Sequence, residues 1–144
     1  MIAVDTNILL RYLLADDETQ SRKASTLING SQSVLVTDVV LAETIWTLKG
    51  KKYKLDRDAI IRVINALFEE PNIHFEDGQT VWRALCDYRK ARSVKSGGKR
   101  KLADFPDALI VNKAQSYARD CGERLSGVFT FDTAAQVLPG TRKP

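Results

Sequence analysis

The sequence predicts an α/β fold: a three-layer α/β/α arrangement over residues 1–144, one domain, around a central parallel sheet of four or five short strands. Three observations predict it. Short apolar, β-branched runs, "IAVD", "SVLVT", "NIHF" and "GVFTFD", recur along the chain. Stretches with helical periodicity separate them, most opening at an Asp. At 144 residues the chain buries a sizeable core without covalent staples. Strands alternating with helices need crossover connections, which lay parallel strands side by side under helical layers.

Each element has a local reason. "IAVD" reads as a short buried strand ending at Asp5, followed by a helical stretch through "NILLRYLL" and a second helix from about Asp16 to Ile28. "SVLVT" is the second strand. Asp38 is expected to cap the helix "VVLAETIWTLK", which Gly50 ends. After "KKYKL" a further helix spans about Asp56 to Glu70 and stops at Pro71, since proline cannot continue it. "NIHF" is the third strand. Asp77 opens a long helix to about Ser93, a Gly-bearing loop covers 94 to 103, and Asp104 begins a helix ending near Cys121, before Gly122. "GVFTFD" is the fourth strand and "LPGTRKP" a short tail.

Composition narrows the function classes. The net charge of +4 and pI near 9.1 suit a polyanionic partner without requiring one. Cys86 and Cys121 stand far apart with no second Cys or His nearby, so neither a zinc spacing nor a disulfide framework is suggested, and a reducing, cytoplasmic setting fits. No apolar run reaches the roughly 18 residues of a membrane span, and "MIAVDTNILL" lacks the basic start of a secretory signal.

The chemistry lies in misplaced acids. Asp5 and Asp132 stand where strands end, and the carboxyl ends of parallel strands are where ligands gather. Helical spacing sets Glu43 between Val39, Val40 and Trp46, on an apolar face, and Asp107 on the stripe of Ile110, Val111, Ala114 and Ala118, expected to point inward. Four carboxylates, Asp5, Glu43, Asp107 and Asp132, would then converge at one sheet edge with Asp104 beside them. Two like charges about 6 Å apart repel by roughly 3 kcal/mol at an effective dielectric of 20, so such a cluster calls for hard divalent cations. Each acid also has a local explanation: Asp5, Asp104 and Asp132 as helix caps, Glu43 as half of a buried ion pair.

The blocks "VDTNILL", "AET", "DFPDALI" and "TFD" resemble, in order and spacing, the four acidic blocks of PIN-domain ribonucleases, from Ile2 to Asp132. Length and the "DTNILLRYLL" opening are most similar to VapC-type toxins of toxin–antitoxin modules. The resemblance implies a PIN-like fold and a Mg²⁺- or Mn²⁺-dependent endoribonuclease with one or two ions per site. Asp5, Glu43 and Asp107 would form the core metal site, Asp132 would complete or flank it, and Asp104 is a possible further ligand. Thr6 and Asn7 would support the site from behind. The same resemblance implies a toxin that inhibits translation by RNA cleavage, a VapB-type antitoxin and a homodimer. The rival readings are a PIN nuclease of RNA processing without an antitoxin, and a catalytically silent nucleic-acid-binding module.

"RKARSVKSGGKRK", residues 89–101, carries seven positive charges and no acid. Either it is solvated surface, or it returns to the acids and Arg92, Lys95, Lys99, Arg100 and Lys101 hold RNA phosphates, with Lys49, Lys51, Lys52 and Lys54 extending the track. Gly97 and Gly98 are expected to leave this loop mobile. His74, the sole histidine, is expected to be structural or edge-exposed, and Trp46 and Trp82 to be core or interface anchors.

Overall fold

Helix starts in this protein are set by short polar side chains that accept backbone N–H groups the helix leaves unpaired. In the computed structural model, which describes residues 1–144, Asp5 accepts from Ile8 N–H at 2.9 Å to begin α1 (Thr6–Leu14), and Asp17 accepts from Gln20 N–H at 2.9 Å to begin α2 (Glu18–Ile28). Asp56 does the same for α4 (Arg57–Glu69) through Ala59 N–H, at 2.9 Å. The helix α3 (Asp38–Lys49) differs from expectation: Thr37 is its N-cap, and Asp38 stands in the first turn with its N–H donated to the Glu76 carboxylate. An acid at that point still favours the positive end of the helix dipole.

The chain divides into two compact units, Met1–Gly78 and Gln79–Pro144. In the first, β1 (Ile2–Ala3), β2 (Val34–Val36) and β3 (Ile73–Phe75) form one parallel sheet in the order β1-β2-β3, with Ile2 opposite Val34 and Val34 opposite Ile73. Val34 and Val36 are fully buried, as a central strand requires. Helix α4 buries Ile60, Ile64 and Leu67, one stripe at helical spacing, and each such side chain contributes about 1.5–3 kcal/mol on leaving water. Asn72 ties the approach to β3 onto the end of α2, donating to the Ile28 and Gly30 carbonyls at 3.1 and 2.8 Å.

The second unit departs further from expectation. Helix α5 (Gly78–Lys90) stops short of Ser93. Residues 94–103, read as a mobile loop, contain an antiparallel hairpin of β4 (Val94–Ser96) and β5 (Lys99–Lys101). Gly97 and Gly98, with φ of 58° and 76°, supply the two consecutive left-handed residues that a tight two-residue hairpin turn demands. Helix α6 (Phe105–Asp120) starts at an Asp104–Asp107 capping box, with Pro106 in its first turn.

The fourth strand, β6 (Val128–Phe129), does not extend the three-stranded sheet. It pairs in parallel with β7 (Thr141–Arg142), drawn from the segment read as a tail, so the expected sheet of four or five strands is a sheet of three plus a separate ribbon of two. Gly140 permits this return, because its φ of 91° lies where residues with a side chain are rarely found. Between the two strands a 3₁₀ turn, Ala135–Val137, buries Ala135 against the unit's interior.

Candidate functional site

Asp5 follows β1 and caps α1, an exposed position in which its Oδ1 is committed to Ile8 N–H and its Oδ2 has no protein partner. One residue on, Thr6 donates its hydroxyl to Glu43 Oε2 at 2.6 Å, joining the start of α1 to the middle of α3. The bond leaves Glu43 Oε1 without a partner and fixes the carboxylate in place. So within the first unit the structure brings Thr6 and Glu43 together, beside Asp5.

Glu43 is not buried. The buried face of α3 is Leu41, Thr44, Ile45 and Leu48, whereas Val39 (73% exposed), Glu43 and Trp46 (75% exposed) look outward. The helix is apolar on two faces, and spacing alone could not tell which one the core takes. Trp82 is also exposed, so neither tryptophan is a core residue.

Asp5 and Asn7 line a groove of about 590 Å³ between α1 and α2, together with Ile8, Arg11, Gln20 and Lys23. Arg11 is held by Asp16 at 2.8 Å, a pairing that lowers the Asp16 pKa, whereas Lys23 has no anionic partner. Lys23 is a cation beside Asp5 that sequence reasoning missed. Its helical register with Gln20 and Leu27, both in the same groove, was the available signal.

In the second unit Asp107 accepts the Asp104 N–H at 3.2 Å as the reciprocal half of the capping box. It is half-buried and borders the buried face of α6, which consists of Phe105, Ala108, Leu109, Asn112 and Ser116; Val111 is buried too, but Ile110 faces solvent and Ala114 and Ala118 are only half-buried. The expected inward stripe is therefore rotated. Asp107 shares a small cleft of about 130 Å³ with Ile110, Phe129, Thr130 and Ala135. Asp132 lies three residues beyond β6, exposed, and caps the turn after it: Oδ1 accepts from Ala134 and Ala135 N–H at 2.8 and 3.2 Å, and Oδ2 is free. The same 3₁₀ turn borders a second cleft, where Val137 meets Asp87, Lys90 and Arg92. Thus the foot of the basic segment and the Asp107 cleft flank one short turn capped by Asp132.

On the hairpin, Lys95 stands directly opposite Arg100, and Lys99 and Lys101 occupy the alternate face. Arg100 donates to Ser93 Oγ at 2.7 Å; no carboxylate pairs with Arg92, Lys95, Lys99, Arg100 or Lys101. His74 is exposed on the edge strand β3, as expected.

A family model for the PIN domain matches residues 2–139. The chain belongs to the PIN-domain family. The match spans both units and includes all four acidic blocks. PIN domains are generally nucleases, typically dependent on divalent metal, and a nuclease domain takes a nucleic-acid substrate. A comparison with curated protein sequences finds no match. No helix is long and apolar enough to cross a membrane.

The donor set suits such an ion in kind: all oxygen, all carboxylate, with Asp5 Oδ2, Glu43 Oε1 and Asp132 Oδ2 free to ligate. No three His, Cys, Asp or Glu side chains are gathered into a group able to hold a metal. What the structure brings together are pairs, Thr6 with Glu43 and Asp104 with Asp107.

Proposed function

We propose that this PIN domain is a Mg²⁺- or Mn²⁺-dependent endoribonuclease of the VapC type, a cytoplasmic toxin that inhibits translation and is restrained by a VapB-type antitoxin, acting as a homodimer. The observation that supports the chemistry is the set of unpartnered carboxylate oxygens on acids of the family's blocks, Asp5, Glu43 and Asp132. Those three and Asp107 are the residues that would hold the cation, with Asp104 positioning Asp107 through the capping box. When bound, a divalent cation supplies a hydroxide-like nucleophile near neutral pH and neutralises charge on the phosphate during in-line displacement.

The chain's own residues do the rest. Thr6 holds Glu43 Oε2, so that the remaining oxygen keeps one orientation. Asn7 and Lys23 line the groove beside Asp5, where Lys23 offers a phosphate a cation not already engaged. Arg92, Lys95, Lys99, Arg100 and Lys101 attract the RNA backbone that the acids alone would repel.

The test of the chemistry is cleavage of RNA in EDTA, with Mg²⁺, Mn²⁺ or Ca²⁺ added back. Mg²⁺ and Mn²⁺ are expected to restore cutting and Ca²⁺ to do so poorly, because calcium takes more ligands at longer distances. Full activity in excess chelator refutes the metal site. Induced expression tests the toxin role: growth arrest with new RNA ends, relieved by the product of an adjacent antitoxin gene, is the expected outcome.

A further inference from the structure

Three large apolar side chains of the second unit stand in water around the candidate acids. Ile110 (58% exposed) and Phe129 (59%) line the Asp107 cleft, and Phe131 (87%) directly precedes Asp132. The ladder explains why Phe129 is uncovered. Val128 and Thr130 donate their N–H groups to the Gly140 and Arg142 carbonyls, so β6 is held to β7 by alternate residues while the intervening Phe129 side chain projects to the opposite face from its two neighbours. Ile110 and Phe129 bound one cleft, and apolar side chains exposed together mark an interaction surface where single ones do not.

We propose that Phe129 and Phe131 form a stacking platform for unpaired bases of the RNA next to the bond that is cut, an inference that rests on the nuclease reading above. Two features of the unit select this occupant. The cleft is apolar at Ile110 and Phe129 and polar at Asp107, which matches a nucleobase, flat and apolar on its faces and hydrogen-bonding along its edge. Arg92, at the foot of the basic segment, borders the same 3₁₀ turn as the cleft and has no carboxylate partner, so the flank of the cleft favours a polyanion. A polyanion bearing flat rings is a nucleic acid. Its bases must be unpaired, because in a duplex both faces of each base are already stacked.

The test uses the full chain carrying Asp5→Asn, a substitution in the first unit that prevents cutting, and two fluorescent probes of equal length: a single-stranded RNA and a ribose-phosphate oligomer without bases. Each stacked ring is expected to strengthen RNA binding about 5- to 150-fold. The double variant Phe129→Ala, Phe131→Ala should therefore bind RNA at least about 25-fold more weakly, the product of the two lower limits, while its affinity for the abasic oligomer is unchanged. The pair Phe129→Trp, Phe131→Trp should retain RNA affinity and Phe129→Leu, Phe131→Leu should not, which separates stacking from mere bulk. Unchanged RNA affinity in the alanine variant overturns the platform, as does an equal loss for both probes. If the rings instead seat a second copy of the chain, the alanine variant will dissociate in sedimentation with its RNA affinity intact, and the platform is again refuted. Cleavage by the chain without Asp5→Asn is scored separately. Cutting that is indifferent to the rings keeps the nuclease and removes the platform; ring-dependent RNA binding without any cutting removes the nuclease and, with it, the platform's place beside a scissile bond.

Discussion

Replacing Lys95, Lys99, Arg100 and Lys101 with Ala is expected to flatten the salt dependence of RNA binding, and the hairpin geometry sets how far. Each phosphate that a cation no longer holds lowers the slope of log K against log salt by about 0.7 for a single strand. If these four and Arg92 all engage phosphates, raising salt from about 50 to 200 mM weakens binding by about 130-fold, against less than about 3-fold for the variant, which keeps only Arg92. The register refines this. Lys95 and Arg100 share one face of the hairpin and Lys99 and Lys101 the other, so a backbone seated on one face engages one pair. One double variant should then show a slope smaller by about 1.4 and the other almost no change. The fold has little stake in the cations: Lys95 and Arg100 are like charges directly opposed, which destabilises a strand pair, Arg100 gives up one exposed hydrogen bond to Ser93 Oγ, and the turn is made by Gly97 and Gly98. Fluorescence anisotropy across a salt series, in an Asp107→Asn background to prevent cutting, reads the slope. An unchanged slope in the quadruple variant refutes the hairpin as a phosphate-binding element and leaves it solvated surface.

Asp5→Asn, Glu43→Gln and Asp107→Asn are each expected to abolish RNA cleavage while leaving the thermal melt within a few degrees, because each removes an anionic oxygen at nearly constant volume and Asn caps α1 as well as Asp does; wild-type cutting by Glu43→Gln would remove that residue from the site. Burial, and then a hydrogen bond to Glu70, push the Tyr12 pKa up to about 12. The phenol is thus kept neutral in the folded chain beyond the pH at which it ionises when unfolded. Its contribution to stability is intact below about pH 10 and is lost as pH rises through about 12. Denaturant titrations between these values should show a fall that Tyr12→Phe makes shallower. Ile64→Ala, in the middle of the buried stripe of α4, should cost about 2–5 kcal/mol, measured by the same titrations.

Local chemistry determined a good deal of this protein. The helices start where Asp5, Asp17, Asp56 and Asp104 cap them, and one stops before Pro71, because these are interactions among neighbours in sequence. The order of the six helices and of β1, β2, β3 and β6, and with it the α/β class, is visible for the same reason, as are the four acidic blocks that the family match spans; β4, β5 and β7 are not. The partner of each surface was not legible. Helix α3 is apolar on two faces, and only packing decided that Leu41, Ile45 and Leu48 go inward while Glu43 stays in water with Val39 and Trp46, held by Thr6 from 37 residues away in sequence. The stripe on α6 rotated away from Ile110 for the same reason. Strand pairing is equally non-local. "VFTF" says that a strand forms and nothing of its neighbour, so the choice of Thr141–Arg142 waits on the turn at Gly140, whose φ of 91° a residue with a side chain rarely adopts. A periodicity records which residues lie on one face; what covers that face is decided by residues distant in the chain, which meet it only once the chain has folded.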